Sequence, residues 1–330
     1  MMERIGICGA GAWGAALAIV AASDDAPVTL WARDPEPLVA GRLAPRLPGH
    51  RIPDTVDITG DLSNLADCDA ILLVVPSAET GPLAARLAER LPTPPPLISC
   101  AKGLGRERRG FMHEVLHGIN PDLSLGALSG PSFAVDVAAG RPTAVTLACE
   151  DAVLARDIAA RLTRRHFRVY PTDDLVGVEV GGAVKNVLAI ACGVAAELKL
   201  GDSAEAALIA RGLAEMTRLG IALGGRMETL SGLSGLGDLV LTCKGEASRN
   251  RRFGKLLAGG ATVDAAIAAI GTVEGAGSAP RLADLARRKD VAMPITEVVS
   301  ALVTSRIDIA DAIEQLLARP IRDETGGAAG

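Results

Sequence analysis

Aromatic side chains are scarce in this chain of 330 residues, at 2% of the sequence, although 49% of the residues are hydrophobic. A hydrophobic core must therefore be built mainly from alanine, valine, leucine and isoleucine. The length is sufficient for one large domain or for two of ordinary size. Glycine is abundant, with 37 residues, which indicates many tight turns between strands and helices.

An excess of basic charge is also absent, because the formal net charge is -5. The charge balance therefore gives no support to nucleic acid or to an anionic membrane as the main partner. A small anionic ligand remains compatible, because a local basic pocket can lie within an acidic protein. No apolar run reaches the roughly 18 residues that a membrane span needs, so membrane insertion is not expected.

The cysteines lack the spacing of a metal or redox site. No two of them form a Cys-x-x-Cys pair, and several lie in apolar runs, where cysteine behaves as a small buried hydrophobe. We expect reduced thiols in a cytoplasmic protein. The six positions are Cys8, Cys68, Cys100, Cys149, Cys192 and Cys243.

The first half of the chain alternates short apolar runs with helical patterns. This alternation is typical of a parallel sheet covered by helices on both faces. Helices are predicted at 12–22 and 79–91. Strands are predicted at 4–8, 28–31, 69–75, 96–100, 123–128 and 143–148.

After about Pro171 the pattern contains helices and no convincing strand. The sequence therefore predicts an α/β Rossmann domain with a mostly parallel sheet over 1–178, followed by an all-α domain over 179–330. The small, polar tail at 323–330 is expected to be disordered. The helices are predicted at 182–200, 204–223, 263–270, 279–288, 296–303 and 309–318.

A glycine loop, Gly9-Ala10-Gly11-Ala12-Trp13-Gly14, follows the first strand and begins the first helix. Gly9 permits the tight turn, Gly11 lets the backbone approach a pyrophosphate, and Gly14 lets the helix pack on the strand. The helix N-terminus then offers free N–H groups to the phosphates. The loop predicts a dinucleotide cofactor.

The choice between NAD and NADP depends on the residues that follow the second strand. Arg33 is suited to a 2′-phosphate, whereas Asp34 is suited to a 2′-hydroxyl. The sequence favours NADP slightly and leaves NAD open.

Four later segments, taken with the glycine loop, resemble the bacterial NAD(P)-dependent glycerol-3-phosphate dehydrogenases. Each segment is short, but their order and spacing are specific, and the resemblance extends to about residue 320. The segments are Cys100-Ala101-Lys102-Gly103-Leu104, Ser129-Gly130-Pro131-Ser132-Phe133-Ala134, Val184-Lys185-Asn186-Val187, and Gly235-Leu236-Gly237-Asp238-Leu239 with Ser248-Arg249-Asn250.

The resemblance implies reversible reduction of dihydroxyacetone phosphate to sn-glycerol 3-phosphate, which supplies phospholipid synthesis. It implies that Lys185 is the general acid and base, and a homodimer is compatible with it. Implied substrate contacts are Lys102, Gly130, Ser132, Lys185, Asp238, Ser248, Arg249 and Asn250. Implied cofactor contacts, besides the loop glycines, are Ala12, Trp13, Arg33, Lys102, Ala134, Arg249 and Glu274.

Two positions depart from the family pattern. The family often has serine where this chain has Ala12, although the backbone N–H remains available. It also often has an aromatic residue where this chain has Arg46, directly before Leu-Pro-Gly. A stacking role at that position is therefore in doubt.

The residues fit the chemistry of carbonyl reduction. Hydride addition leaves negative charge on the carbonyl oxygen, and a lysine ammonium can stabilise that charge and deliver a proton. Lys185 lies on an apolar helix, where a lone charge is costly, and Asp238 is the candidate partner. Ser248, Arg249 and Asn250 can present donors to the substrate phosphate at a helix start, and Arg251 and Arg252 add basic charge.

The segment His113-Glu114-Val115-Leu116-His117 matches the H-E-x-x-H pattern of zinc proteases. It falls where a crossover helix of the α/β domain is expected, and no third ligand follows it. The remaining histidines are His50 and His166. We therefore reject a metal site.

Two alternatives remain open at this stage. One is another two-domain reductase with a lysine on the helical domain, such as a ketopantoate reductase or a β-hydroxyacid dehydrogenase. Such an enzyme would not need the Ser-Arg-Asn cluster. The other is a cofactor-binding sensor without turnover, which would not need both Lys102 and Lys185.

Overall fold

One eight-stranded sheet occupies the first half of the chain, and helices follow it. The structure, a computed structural model, describes residues 2–105 and 110–318. The tail at 323–330 lies outside these residues. The strands are β1 (Ile5–Cys8), β2 (Val28–Trp31), β3 (Val56–Thr59), β4 (Ala70–Leu73), β5 (Leu97–Ser99), β6 (Leu125–Ser129), β7 (Thr143–Cys149) and β8 (Phe167–Thr172).

The sheet has the strand order β3-β2-β1-β4-β5-β6-β7-β8. The strands β1 to β6 run parallel, β7 runs antiparallel to β6, and β8 runs parallel to β7. Strands β1, β2 and β4 are buried along their whole length, as their largely apolar sequences predict. This is the doubly wound Rossmann arrangement, so the predicted fold class is confirmed.

Helices cover both faces of the sheet and connect its parallel strands. Their apolar sides face the sheet, which buries the alanine- and leucine-rich core that the composition requires. They are α1 (Ala12–Ala21), α2 (Glu36–Gly41), α3 (Ser77–Arg90), α4 (Met112–His117), α5 (Ala134–Ala138) and α6 (Ala152–Leu162).

The described part of the chain after β8 is helical. A π-helical turn, Leu233–Gly237, precedes α10. The helices are α7 (Leu175–Glu197), α8 (Asp202–Ala222), α9 (Met227–Leu230), α10 (Asp238–Lys244), α11 (Arg249–Ala258), α12 (Val263–Ile270), α13 (Glu274–Arg288), α14 (Pro294–Val303) and α15 (Ile309–Leu317).

Several element boundaries differ from the prediction. The edge strands β3 and β8 were not predicted, because their side chains alternate between buried and exposed positions. Helix α7 begins at Leu175 rather than at 182. The predicted domain division at residue 178 therefore falls within the first turn of α7.

Helix α7 is the centre of the helical half, and nearly all of its residues are buried. It crosses α11 at very short range. A Cβ on Gly193 would lie 2.0 Å from the carbonyl oxygen of Arg251, and one on Gly254 would lie 2.1 Å from that of Ile190. The two glycines let the backbones touch, which fixes the start of α11 relative to Lys185.

Helix α7 also meets the length and composition of a membrane-spanning helix, with a mean hydropathy of 1.6 over 18 residues. The average reaches this value even though Glu179 and Lys185 interrupt the apolar runs. Within the protein, 94% of that window is buried. This burial is typical of a core helix.

Candidate active site

The glycine loop between β1 and α1 leaves an open space at the start of the helix. Gly9 has φ +117°, and a Cβ there would lie 2.4 Å from the carbonyl oxygen of Val74. A Cβ on Gly14 would lie 1.8 Å from the oxygen of Gly9, whereas one on Gly11 would meet no atom within 4 Å. No side chain caps α1, so its first N–H groups remain available. The loop therefore fits a pyrophosphate.

Three predicted cofactor residues lie beside this loop. Ala12 and Trp13 form the first turn of α1, and Ala134 begins α5, which packs against α1. Trp13 Nε1 is buried and has no hydrogen-bond partner within the described residues. The indole ring lies 6.5 Å from the ring of Phe167, measured between centroids.

Two lysines share one aspartate where the sheet meets the helices. Lys102 follows β5, Lys185 lies in the middle of α7, and Asp238 is the first residue of α10. Lys102 Nζ lies 2.8 Å from Asp238 Oδ2, and Lys185 Nζ pairs with Asp238 Oδ1. The predicted contact between Lys185 and Asp238 is therefore confirmed. The Lys102 side chain is 16% exposed and that of Lys185 is 5% exposed, so Lys102 is the more accessible of the two lysines.

The two positive groups compete for one negative charge. Burial favours the neutral acid, but the charges of Lys102 and Lys185 outweigh it and lower the pKa of Asp238. Burial, helped by the charge of Lys102, outweighs the attraction of Asp238 and lowers the pKa of Lys185 to about 7. Asp238 thus stays ionised while Lys185 can exchange a proton near neutral pH.

Close packing holds this cluster together. An added Cβ on Gly182 would lie 3.2 Å from Ser129 Oγ and 3.6 Å from Lys102 Cβ, so α7 lies directly against both. Lys102 Nζ also donates to the carbonyl oxygen of Gly130 at 3.1 Å. Ser132 Oγ donates to the same oxygen at 3.0 Å. The turn after β6 thereby orients Lys102.

A chain of amides connects the cluster to α11 and α13. Asn186 Nδ2 donates to the carbonyl oxygen of Lys102 at 2.7 Å, and Asn250 Nδ2 donates to Asn186 Oδ1 at 2.9 Å. The N–H of Gly275 donates to Asn250 Oδ1 at 2.9 Å. The side-chain NH2 group and the side-chain oxygen of Asn250 are therefore both engaged within the protein. These hydrogen bonds place the start of α11 beside Asn186, the neighbour of Lys185 in α7.

The Ser-Arg-Asn cluster forms the first turn of α11. Ser248 is the N-cap, and its hydroxyl accepts from the N–H of Arg251 at 3.2 Å. Arg249 is exposed. The first turn contains no acidic residue, so the positive end of α11 is not neutralised there.

The expectation that Arg251 adds charge to the phosphate end is wrong. Its guanidinium points into the helical core, where Nη1 lies 2.9 Å from Glu205 Oε2 and 2.5 Å from the carbonyl oxygen of Cys243. Arg251 forms a buried ion pair because the face of α11 that carries it is turned toward α7 and α8. Arg252, by contrast, is exposed.

Arg33 and Glu274 each contact a residue in the first turn of α3. Arg33 follows β2 and is exposed near Glu79. Glu274 begins α13, and its Oε1 accepts from the N–H of Ser77 at 3.0 Å. This bond ties the helical half to the start of α3, directly after β4.

The H-E-x-x-H segment is part of an internal contact. His113 pairs with Glu179 of α7 through its side chain and, at 3.0 Å, through its N–H. Burial opposes the charged imidazole, but the hydrogen bond and charge of Glu179 raise the pKa of His113. Glu114 accepts from the N–H of Phe111 at 2.8 Å. Over the described ranges, no three His, Cys, Asp or Glu residues are grouped as metal ligands.

Two family models together match most of the chain. The NAD-dependent glycerol-3-phosphate dehydrogenase N-terminus model matches residues 4–155, and the corresponding C-terminus model matches residues 174–314. The chain belongs to the NAD-dependent glycerol-3-phosphate dehydrogenase family. The fold, the glycine loop and the shared aspartate described above are thus those of a member of this family.

Individual relatives match along nearly the whole length. Glycerol-3-phosphate dehydrogenase [NAD(P)+] from Beijerinckia indica is 50% identical over 98% of both chains. The enzyme of that name from Parvibaculum lavamentivorans is 46% identical over the same shares. The crystal structure of glycerol-3-phosphate dehydrogenase from Coxiella burnetii is 40% identical, with a TM-score of 0.91 over 96% of this chain and 99% of that one.

Sequence reasoning missed three polar residues of the dehydrogenase site. Asn186 supports the Lys102 loop, and the buried hydroxyls of Ser129 and Ser234 have no hydrogen-bond partner among the described residues. Asn186 and Ser129 lie within the segments that carry the resemblance, and Ser234 directly precedes Gly235. Those positions were the available signal, but they do not tell which way a side chain points.

Proposed function

We propose that this protein reduces dihydroxyacetone phosphate to sn-glycerol 3-phosphate with NADH or NADPH, and catalyses the reverse oxidation. The observation that carries the proposal is the buried Lys102–Asp238–Lys185 cluster beside a dinucleotide-binding glycine loop. When bound, the nicotinamide cofactor supplies the hydride for the carbonyl carbon. The product supplies glycerophospholipid synthesis.

Lys185 is the proposed general acid and base. Its ammonium group donates a proton to the carbonyl oxygen during reduction, and its neutral amine accepts one during oxidation. Asp238 keeps the site close to neutral after that proton has left, because its charge remains balanced by Lys102. Lys102, the more exposed lysine, stabilises negative charge on the substrate oxygen.

The substrate phosphate is placed at the start of α11. The backbone N–H groups and the exposed Arg249 supply donors there. Ser248 completes the turn, and Gly130 and Ser132 lie in the turn after β6, where Gly130 accepts a hydrogen bond from Lys102. Asn250 contributes its backbone N–H and the position of α11, because its side-chain amide is already occupied.

The cofactor is placed along the glycine loop. Gly9, Gly11, Ala12, Trp13 and Gly14 hold the pyrophosphate through backbone N–H groups and packing. Arg33 meets the adenosine ribose, which favours NADPH slightly. Ala134, Lys102, Arg249 and Glu274 complete the side of the crevice that faces the substrate.

A substrate panel tests the proposed function. Purified protein with NADH or NADPH is given dihydroxyacetone phosphate, unphosphorylated dihydroxyacetone, or ketopantoate, and absorbance of the reduced cofactor is followed. We expect turnover with dihydroxyacetone phosphate, and kcat/KM lower by about 100-fold or more without the phosphate. Faster turnover of ketopantoate, or tight cofactor binding with no turnover at all, would contradict the proposal.

We also propose a cytoplasmic location, with the two domains dividing near residue 178. The six cysteines are buried and unpaired, which suits a reducing compartment. Helix α7 serves as core rather than as a membrane span.

A homodimer is compatible with the half-exposed apolar side chains of Leu200, Ile221 and Met227. Light scattering on the purified protein tests this oligomeric state.

A further inference from the structure

An ion pair between Arg33 and Glu79 crosses the mouth of the glycine loop. Arg33 follows β2, and Glu79 lies in the first turn of α3, which follows β4. Strands β2 and β4 flank β1 on its two sides, so a contact between the two residues spans the carboxyl end of β1. Arg33 Nη2 lies 4.0 Å from Glu79 Oε2.

Both partners of this pair are accessible to a ligand. The Arg33 side chain is 83% exposed and the Glu79 side chain is 51% exposed. Exposed ion pairs contribute little to stability, because water and salt screen them. A ligand that binds at the glycine loop can therefore separate the pair at a small cost in free energy. It then meets the guanidinium of Arg33 and the carboxylate of Glu79.

The two cofactors respond to these charges in opposite ways. NADPH carries a 2′-phosphate on the adenosine ribose, where NADH carries a hydroxyl. A carboxylate repels the phosphate and competes with it for the guanidinium, whereas it can accept a hydrogen bond from the hydroxyl. The pair thus combines one residue that favours NADPH with one that opposes it.

We propose that Glu79 is a specificity-determining residue, which holds Arg33 and disfavours the 2′-phosphate. The inference rests on the proposed function only in taking the ligand to be NAD(H) or NADP(H). Without Glu79, Arg33 would favour NADPH about three- to tenfold more than it does in the wild type. With Glu79 beside it, the preference for NADPH is only slight.

The remaining charges near the pair are compatible with this role. The Arg86 guanidinium, two turns along α3 from Glu79, lies 5.5 Å from the centre of the Trp31 ring, at the end of β2. Asp34 is exposed next to Arg33. Neutralising Glu79 therefore removes the carboxylate that pairs with Arg33 and leaves Asp34 as its acidic neighbour in the sequence.

Cofactor binding to Glu79→Gln tests the inference without any turnover. The dissociation constants of NADPH and NADH are measured by nicotinamide fluorescence in the absence of substrate. We expect the dissociation constant for NADPH to fall about three- to tenfold, and that for NADH to change less than about twofold. Glu89→Gln is the matched control, because it removes the same charge from the exposed far end of α3.

Two outcomes would overturn the inference. One is an NADPH-to-NADH ratio that stays within twofold of the wild-type ratio in Glu79→Gln; the other is an equal shift in Glu89→Gln. In an Arg33→Ala background the effect of Glu79→Gln should be smaller, because only the direct repulsion of the phosphate remains, and an undiminished effect there would refute competition for Arg33. If the wild type binds cofactor but never reduces dihydroxyacetone phosphate, the proposed function fails while these affinities still decide the role of Glu79.

Discussion

At the scale of single residues, the arrangement of charge in the buried cluster decides the chemistry. A lone ammonium group in the middle of α7 would be strongly disfavoured, and the sequence alone indicates that Lys185 needs a partner such as Asp238. The sharing of Asp238 with Lys102 was not predicted, because 136 positions separate these residues and no spacing rule connects them. Only the packing of α10 against the Lys102 turn brings them together.

The pH dependence follows from Lys185. Burial lowers its pKa to about 7, and reduction uses the protonated form. The kcat/KM for dihydroxyacetone phosphate should therefore fall as the pH rises through about 7, while that for oxidation of sn-glycerol 3-phosphate should rise over the same range. Initial rates from pH 6.5 to 9 at constant ionic strength measure both limbs, and NADH affinity over the same range is the control. Flat profiles would show that Lys185 does not titrate in catalysis.

At the scale of elements, the long apolar segments could be predicted from the sequence, and the edge strands of the sheet could not. Strands β1, β2 and β4 lie inside the sheet and are largely apolar, so the sequence predicts them. Strand β8 alternates buried Phe167 and Val169 with exposed Arg168 and Tyr170 and contains Pro171, which obscures a six-residue edge strand. The early start of α7 was hidden by Gly177, Gly181 and Gly182, whose low helix propensity is overridden by packing.

The α7–α11 crossing gives a prediction at this scale. Gly193→Ala places a Cβ against the Arg251 carbonyl oxygen and must push α11 away, which should lower the free energy of unfolding by roughly 1–3 kcal/mol. Gly277→Ala in α13 is the matched control, because an added Cβ there meets nothing within 4 Å. It should be neutral or stabilise by up to about 1 kcal/mol. Urea unfolding measures both variants, and equal effects would contradict the close crossing.

At the scale of the whole molecule, the candidate active site belongs to neither half alone. The sheet half supplies the glycine loop and Lys102, and the helical half supplies Lys185 and Asp238. The bond from Ser77 to Glu274 and the amide chain through Asn186 and Asn250 hold the halves in register. The order of elements and the family resemblance predicted that the sheet half would supply the glycine loop and the helical half would supply Lys185. The inward turn of Arg251 was not predictable, because it depends on which face of α11 meets α7.

We propose that Lys185, held by Asp238 at the junction of the two halves, transfers the proton during reduction of dihydroxyacetone phosphate. Single-turnover oxidation of NADH by Lys185→Met isolates this step, and Lys199→Gln, at an exposed position just beyond the same helix, is the control. Because Lys102 still balances Asp238, the variant should fold and bind NADH within a few-fold of wild type. We expect a rate lower by about 100- to 10,000-fold in Lys185→Met and near wild type in Lys199→Gln. A Lys185→Met rate within about tenfold of wild type would show that another group supplies the proton.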